Sequence, residues 1–176
     1  MKKILMGLLF FATAQASYAD SRQKIQLEKP VPGVIVYTQD GYVGKVNGTF
    51  GNGVLSIKIG SSNYNYNVYN IATRGCWAET CTNHVVFTRD GYTAIVNGFF
   101  PKGAFSVRIG SSNYQYSSSL IARNGCTQNG RICSGHQVTT SDGYNAVVNG
   151  VYPDDYLSVK IGSSNYNYEE SKLASR

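Results

Sequence analysis

Apolar and polar residues alternate along most of this chain. Residues 55–59 read Leu-Ser-Ile-Lys-Ile, and a similar alternation returns at 105–109 and 157–161. A period of two places successive side chains on opposite faces of a strand, so that one face is buried and the other meets solvent. The pattern predicts an all-β chain, and no segment has the spacing of a helix of any length.

The chain consists of three similar copies of one unit. Gly-Ser-Ser-Asn-Tyr-x-Tyr occurs at residues 60–66, 110–116 and 162–168, and Thr-x-Asp-Gly-Tyr and Val-Asn-Gly precede it in every copy. Such a period is typical of a repeat architecture or of an internally symmetric fold. We assign an N-terminal extension to 20–33, repeat 1 to 34–75, repeat 2 with its preceding linker to 76–125, and repeat 3 with its preceding linker to 126–176.

Turn residues divide each copy into four strands. Asp-Gly between two β-rich runs is a strong hairpin signal, because Gly adopts positive φ and Asp tolerates it. The Gly-rich segment 51–53 is predicted to turn the second strand into the third, and Gly-Ser-Ser-Asn the third into the fourth. The second strand, from Tyr42 to Phe50, contains Gly48 at its middle, which indicates a bulge or a bend. Each copy is therefore predicted to be a four-stranded meander with a short turn at Ile-Ala.

Over residues 36–72 the unit resembles the small five-stranded barrels of the SH3-like superfamily, especially the Tudor and agenet type. The resemblance rests on Asp-Gly-Tyr, a small residue at Gly44, Val46, the Leu-x-Ile-x-Ile segment and the closing Ile-Ala. It implies three tandem SH3-like barrels of four to five strands each. A single β-trefoil, which also combines three four-stranded repeats, is the alternative, because a unit of this size buries only a small core.

Residues 1–19 have the layout of a secretory signal peptide. Lys2 and Lys3 precede an apolar run, and small residues follow up to Ala19, where we expect cleavage. The run is shorter than the roughly 20 residues that span a bilayer, so we expect no membrane span after cleavage. We therefore expect an exported protein, either periplasmic or extracellular.

All four cysteines lie in the linkers between copies. An even number of locally paired cysteines in an exported chain favours disulfides, and we predict the pairs Cys76–Cys81 and Cys126–Cys133, with crossed pairing as the alternative. Closing each short loop should stabilise the fold by roughly 2 kcal/mol in the chain-entropy model. Cysteine spacing of the C-x2-C type is absent, so we expect no metal and no other cofactor.

The polar residues argue against catalysis and against nucleic-acid binding. Asp40, Asp90 and Asp142 lie in turns where Asp is expected for backbone reasons alone, and a threefold repeat fits a single asymmetric active site poorly. We therefore expect a protein that is not an enzyme. The formal net charge is +6, and two of the positive charges are lysines of the signal segment. The remaining Lys and Arg form no stripe that predicts a nucleic-acid partner.

Tyrosine, with 14 residues, is the main candidate for binding chemistry. One interpretation is structural, because cross-strand aromatic packing could close each barrel. The resemblance to Tudor-like barrels implies instead a ligand pocket between the first and third interstrand loops. No copy carries a full aromatic cage, so the methyl-lysine ligand of that family is not expected. The candidate ligand-binding residues are Asp40, Tyr42, Asn63, Tyr64, Asp90, Tyr92, Asn113, Tyr114, Asp142, Tyr144, Asn165 and Tyr166.

Two functions remain open at this point. The first is an envelope binding module that recognises cell-wall glycan, peptidoglycan or an envelope protein, where three weak sites combine by multivalency. The second is a structural or assembly protein of the envelope that has no small ligand. The sequence leaves the oligomeric state open.

Overall fold

The structure is a computed structural model that describes residues 25–175. The predicted signal peptide, 1–19, lies outside the described residues. Every regular element in the described range is a strand or a single-turn 3-10 helix, which confirms the all-β prediction. The strands of the N-terminal extension and of repeat 1 are β1 (Ile25–Leu27), β2 (Ile35–Thr38), β3 (Val43–Thr49), β4 (Val54–Ile59), β5 (Ser62–Asn67) and β6 (Ile71–Ala72).

The same succession of strands follows in the rest of the chain. The first linker contains β7 (Gly75–Trp77) and β8 (Thr80–Cys81). Repeat 2 contains β9 (Val85–Thr88), β10 (Thr93–Phe99), β11 (Ala104–Ile109), β12 (Ser112–Ser117) and β13 (Ile121–Ala122). Repeat 3 contains β14 (Gln137–Thr140), β15 (Asn145–Val151), β16 (Tyr156–Ile161), β17 (Ser164–Glu169) and β18 (Leu173–Ser175).

Each repeat forms its own five-stranded antiparallel sheet. The strand order in repeat 1 is β5-β4-β3-β2-β6, and repeats 2 and 3 have the corresponding orders β12-β11-β10-β9-β13 and β17-β16-β15-β14-β18. A 3-10 helix precedes the last strand of every sheet, at Val68–Asn70, Ser118–Leu120 and Glu170–Lys172, and another joins β3 to β4 at Gly51–Gly53.

Three separate clusters of buried side chains form the hydrophobic core, one in each repeat. Repeat 1 buries Val46, Leu55 and Ile57 on the inner face that the alternation predicts. Repeat 2 adds an edge-to-face pair, Phe99 and Phe105, with ring centroids 4.8 Å apart. Because each repeat encloses its own core, the prediction of three tandem small barrels is confirmed, and the single β-trefoil core is not adopted.

Two local predictions in each unit were wrong. Ile71 and Ala72, predicted to be a turn, form strand β6, because pairing with Thr38 and Tyr37 of β2 closes the sheet. The hairpin after β4 is also tighter than predicted, since Ser62 already pairs with Ile59 and Asn63 with Lys58. Only residues 60 and 61 form the turn, with Gly60 at a φ of 59°.

The glycine at the middle of the second strand marks a β-bulge, as predicted. The register between β3 and β4 shifts between Val46 and Gly48, so Asn47 is the extra residue of the bulge. Its Nδ2 donates a hydrogen bond to Oδ1 of Asn63 at 2.6 Å. Repeats 2 and 3 have the same bulge and the same amide pair at 2.8 Å, in Asn97–Asn113 and Asn149–Asn165.

The linkers are held by disulfides and by strand pairing. The bonds Cys76–Cys81 and Cys126–Cys133 are those predicted, and the crossed pairing is excluded. Strand β1 pairs with β7 and places Gln26 opposite Cys76. Leu27 and Trp77 pack against the core of repeat 2. The N-terminal extension is therefore bound at the junction between repeats 1 and 2, which the sequence analysis did not predict.

A backbone bridge joins each repeat to the next. Thr73, directly after β6, exchanges two hydrogen bonds with Phe99 at the end of β10, of 3.2 and 2.9 Å. Arg123 and Val151 form the same bridge between repeats 2 and 3, at 3.0 and 2.9 Å. The end of the second strand in repeats 2 and 3 is thus paired with backbone of the preceding repeat.

A side-chain amide makes the second contact at each junction. Asn113 donates from Nδ2 to the carbonyl oxygen of Gly41 in repeat 1 at 3.1 Å, and Asn165 donates to that of Gly91 in repeat 2 at 3.1 Å. The junction of repeats 2 and 3 also carries an ion pair of 3.2 Å between Arg89 and Asp154. The asparagine and bridge contacts recur at both junctions, so they define how one repeat follows another.

Candidate tyrosine-lined binding surfaces

The two tyrosines of each Tyr-x-Tyr segment have different surroundings. Tyr66 lies opposite Leu55 and packs against the core of repeat 1. Tyr116 and Tyr168 pack in the same way in their own repeats. Tyr64 lies opposite Ile57 but keeps 49% of its surface exposed. The structural interpretation therefore holds for the second tyrosine, whereas the first leaves about half of its side chain in solvent.

The second tyrosine is bonded to the Asp-Gly-Tyr turn. The hydroxyl of Tyr66 contacts both carboxylate oxygens of Asp40 at 2.9 and 3.2 Å. In the other repeats the hydroxyl donates to Asp90 at 2.7 Å and to Asp142 at 3.0 and 3.2 Å. This contact links the first hairpin of the sheet to its fourth strand, so both elements present their side chains in a fixed relation.

A threonine holds the turn itself. Oγ1 of Thr38 accepts a hydrogen bond from the backbone N–H of Tyr42 at 3.0 Å, and it donates to the carbonyl oxygen of the same residue at 3.3 Å. Thr88 and Thr140 make the equivalent contacts. The buried threonine thus fixes the backbone from which Tyr42 projects.

These contacts shift the pKa values of both partners. Partial burial alone would raise the pKa of Asp90, but hydrogen bonds from Thr88, Tyr116 and its own backbone outweigh it and lower the pKa. Burial raises the pKa of Tyr116 to about 12, and the hydrogen bond to Asp90 and its negative charge act in the same direction. The carboxylate is therefore ionised and the phenol neutral over a wide pH range.

The pairs in repeats 1 and 3 shift in the same directions. The hydrogen bonds of Asp40 outweigh its partial burial and lower its pKa, and the Thr140 hydroxyl is the largest influence in lowering the pKa of Asp142. Burial, followed by the bond to the carboxylate, raises the pKa values of Tyr66 and Tyr168.

The exposed tyrosines form three equivalent sets, which we call the tyrosine pairs. Their exposed fractions are 55% and 49% for Tyr42 and Tyr64, 53% and 48% for Tyr92 and Tyr114, and 55% and 48% for Tyr144 and Tyr166. Tyr42 follows Asp40 by two residues, and Asp40 accepts the hydroxyl of Tyr66, so the turn that carries Tyr42 is bonded to the fourth strand. An exposed phenol offers a flat apolar face together with a hydrogen-bonding group.

The candidate asparagines point away from the tyrosine pairs. Successive residues of a strand alternate between faces, so Asn63 and Tyr64 project to opposite sides of the sheet. Asn113 and Asn165 are engaged by the turn of the preceding repeat, and Asn63 by Asn47. The structure therefore brings the aspartates and the turn tyrosines near the fourth strand, but it does not bring the asparagines there. A ligand-binding role of the three asparagines stays a prediction.

Sequence reasoning did not select Tyr66, Tyr116 and Tyr168 as site residues. Their regular spacing from Tyr64, Tyr114 and Tyr166 showed that both tyrosines share a strand face. It did not show which of the two would reach the carboxylate of the turn, because that depends on how the barrel closes.

An open groove of about 860 Å³ lies elsewhere, between repeats 2 and 3. Its walls include Phe87, Cys126 and Asn149, and none of the tyrosine pairs lines it. The imidazoles of His84 and His136 each accept a backbone N–H at 3.2 Å. Within residues 25–175, His, Cys, Asp and Glu side chains form no cluster of three that could hold a metal ion.

Among residues 25–175 there is no helix of the length and apolar character that crossing a membrane requires. Comparison with protein-family models and with curated proteins finds no match to this chain. The geometry of the repeats and of the tyrosine pairs therefore carries the functional argument.

Proposed function

We propose that this protein is an exported, non-catalytic binding module of the cell envelope that contacts cell-wall glycan through its tyrosine pairs. The observation that carries the proposal is the near-equal exposure of the same two rings in all three repeats. Removing apolar surface from water contributes a favourable free energy of roughly 25 cal/mol per Å². Half-exposed rings can therefore still contribute such a free energy when a ligand covers them. A bound ligand would cover that surface.

The chemistry of the pairs suits a neutral sugar polymer, with an envelope protein as the other candidate ligand. Tyrosine rings present a flat apolar face, and the phenol supplies a donor and an acceptor. Asp40 accepts from Tyr66 but has further lone pairs that can accept from a ligand hydroxyl. Three weak sites along one chain match a polymer with repeating units, because linked sites combine in avidity.

Fold and compartment support the proposal. Each sheet places its last strand beside its first and has a 3-10 helix before that strand, which supports the resemblance to SH3-like barrels. The two disulfides indicate an oxidising compartment, which supports export to the periplasm or beyond the cell.

Sedimentation with insoluble peptidoglycan tests the proposal. The mature chain, residues 20–176, is mixed with the polymer, and the bound fraction is measured after centrifugation. We expect the wild type to be retained and the Tyr64→Ala/Tyr114→Ala/Tyr166→Ala variant to be lost to the supernatant. The three rings are half-exposed, so their truncation should change stability only slightly.

Tyr69→Ser is the matched control. Tyr69 is 54% exposed but lies outside the tyrosine pairs, and Ser119 and Ser171 occupy its place in the other repeats. This variant should be retained like the wild type. The proposal fails if the folded triple variant is retained equally well, or if the wild type binds neither peptidoglycan nor a glycan array.

The alternative is an assembly protein of the envelope without a small ligand. One observation favours it: the contact surface that joins neighbouring repeats is left open at both ends of the described chain. This surface is the subject of the next section.

A further inference from the structure

Repeats 1 and 3 present the two halves of a repeat junction, and neither half has a partner in the part of the chain that the structure describes. We call Gly48, Thr49, Phe50 and Asn63 of repeat 1 the front face. In repeats 2 and 3 the corresponding glycine, bridge residue and asparagine contact the preceding repeat, and so does Tyr152. We call the backbone of Gly143 and Ser175 in repeat 3 the back face. The equivalent residues contact the following repeat in repeat 1, where they are Gly41 and Thr73, and in repeat 2, where they are Gly91 and Arg123.

The exposed ring of Phe50 is the first sign that the front face is incomplete. Phe50 is 57% exposed, whereas Phe100 and Tyr152, at the same place in repeats 2 and 3, are 2% and 1% exposed. The three residues have equivalent positions in their sheets, and the hydroxyl of Tyr152 donates to the backbone oxygen of Thr88 in the preceding repeat at 2.9 Å. The front face therefore presents an exposed ring at the position where repeats 2 and 3 bury theirs.

Gly48 gives the second sign. A Cβ added at Gly98 would lie 2.5 Å from the carbonyl oxygen of Thr73, and one at Gly150 would lie 2.9 Å from that of Arg123. A Cβ added at Gly48 would meet nothing within 4 Å among residues 25–175. Glycine is needed for close backbone approach in repeats 2 and 3. Repeat 1 has the same clearance, and no described residue fills it.

Hydrogen-bonding groups complete the front face. Phe99 and Val151 bridge to the preceding repeat, whereas Thr49 pairs among the described residues only with Leu55 of its own sheet. Asn63 accepts from Asn47 as its counterparts do, but within residues 25–175 its Nδ2 has no carbonyl acceptor.

The back face of repeat 3 offers the complementary groups. A Cβ added at Gly41 would lie 2.9 Å from the backbone oxygen of Asn113, and one at Gly91 would lie 3.4 Å from that of Asn165. One at Gly143 would meet no described residue within 4 Å. Ser175 stands where Thr73 and Arg123 bridge to the next repeat, and in residues 25–175 it pairs only with Val138 of its own sheet.

We propose that copies of this chain associate head to tail, with the back face of one copy on the front face of the next. The carbonyl oxygen of Gly143 then accepts from Asn63 of the next copy, and Ser175 bridges to its Thr49. Ser141 and Asn52 stand where Arg89 and Asp154 pair at the second junction, so this position adds neither an ion pair nor a like-charge repulsion to the contact. The inference rests on the junctions and not on the tyrosine pairs.

The contact is heterologous, so it continues from copy to copy and does not stop at a symmetric dimer. Each added copy continues the stacking of repeats that already exists within the chain. Within one chain the linkers hold neighbouring repeats at an effective concentration on the order of millimolar, and separate copies lack this advantage. Association is therefore expected to be weak and to increase with protein concentration.

Sedimentation velocity of the mature chain over a wide concentration range tests the proposal. We expect the average mass to rise with concentration without a plateau at the dimer. Gly48→Ala, which has free space in the single chain, should abolish the rise. Gly51→Ala also meets no described residue within 4 Å but lies outside the front face, so it should associate like the wild type.

Asn63→Asp tests the hydrogen bond of the contact. It keeps the oxygen that accepts from Asn47 and loses the Nδ2 donor, so it should weaken association about tenfold or more, equivalent to at least about 1.4 kcal/mol.

A mixing experiment tests the polarity of the contact. Gly48→Ala blocks the front face and leaves the back face intact, whereas Ser175→Pro removes a backbone donor from the back face and leaves the front face intact. Each variant alone should be monomeric, and an equal mixture should form a dimer with one copy of each. The proposal is overturned if the wild type is monomeric at every concentration, stops at a symmetric dimer, or associates equally well as Gly48→Ala.

Discussion

At the residue scale, the hydrogen bond from tyrosine to the turn aspartate separates the structural tyrosines from the exposed ones. Tyr116 donates its hydroxyl proton to Asp90 and packs its ring against the core of repeat 2. Tyr114, two residues earlier, has about half of its surface in solvent. Two identical residues in one short segment therefore have different physical roles.

The raised pKa of Tyr116 predicts how stability depends on alkaline pH. Its folded value of about 12 exceeds the ordinary value of 10.0. The contribution of this pKa shift to the free energy of unfolding is therefore complete below pH 10.0 and is lost as the pH rises towards 12. Urea unfolding of the wild type should show a fall in the free energy of unfolding across this window, and Tyr116→Phe should make the fall smaller. At neutral pH, Tyr116→Phe should cost about 1 kcal/mol, a value reduced because the carboxylate is largely solvated.

Asp90→Asn is the companion variant. It removes the negative charge and keeps an acceptor for the phenol, so the pKa of Tyr116 should fall, as followed by the ultraviolet absorbance of the phenolate. Because the pKa of Asp90 is lowered on folding, its own contribution is present above the ordinary value of 3.8 and is lost as the pH falls below it. A Tyr116 titration unchanged by Asp90→Asn would contradict the assigned bond.

At the scale of elements, the first linker is a small folded unit and not a tether. Strands β1, β7 and β8 form a sheet closed by the Cys76–Cys81 disulfide. Trp77 stacks on Phe105 with ring centroids 5.9 Å apart. The linker therefore adds an apolar cover to the core of repeat 2.

Gly103→Ala should displace this cover. An added Cβ would lie 2.2 Å from the ring of Trp77, and we expect the free energy of unfolding to fall by about 1–3 kcal/mol through overpacking. Trp77 is the one tryptophan of the sequence, so its fluorescence should shift to longer wavelength. Gly53→Ala is the matched control, because Gly53 also has a positive φ but its nearest neighbour, Val68, lies at 3.5 Å. Equal stability loss in both variants with unshifted fluorescence would contradict the packing.

Sequence reasoning predicted the elements whose causes are local. The alternation at 55–59, the bulge at Gly48 and the disulfide Cys76–Cys81 each follow from neighbouring residues, and the structure contains all three. The pairing of β1 with β7 and the engagement of Asn113 by Gly41 could not be predicted, because both join segments that are distant in sequence. The alternation of apolar and polar residues shows which residues share a face of a strand, but it does not show which distant segment packs on that face.

The candidate site was predictable to the same degree. The repeat identified the turn aspartates, the turn tyrosines and the first tyrosine of each fourth strand, as well as Asn63 and its equivalents, but not the second tyrosine. The sheet register then placed Asn63 on the face opposite Tyr64, since adjacent strand residues alternate.

At the scale of the whole molecule, one contact geometry is used repeatedly to place three equivalent surfaces along the chain. The bridge after β6 recurs after β13, and each tyrosine pair keeps nearly the same exposure. Under the proposed function, three sites in fixed order engage one polymer together, and the bound state gains from avidity. Head-to-tail association would extend the same row of sites from one copy to the next.

The most direct test of the central claim is a set of binding isotherms on insoluble peptidoglycan for variants that lack one, two or all three of Tyr64, Tyr114 and Tyr166. The account predicts that each replacement by Ala weakens binding about tenfold, equivalent to about 1.4 kcal/mol, and that the triple variant falls to background while its melting temperature stays near that of the wild type. Unchanged affinity in a folded triple variant would contradict the account.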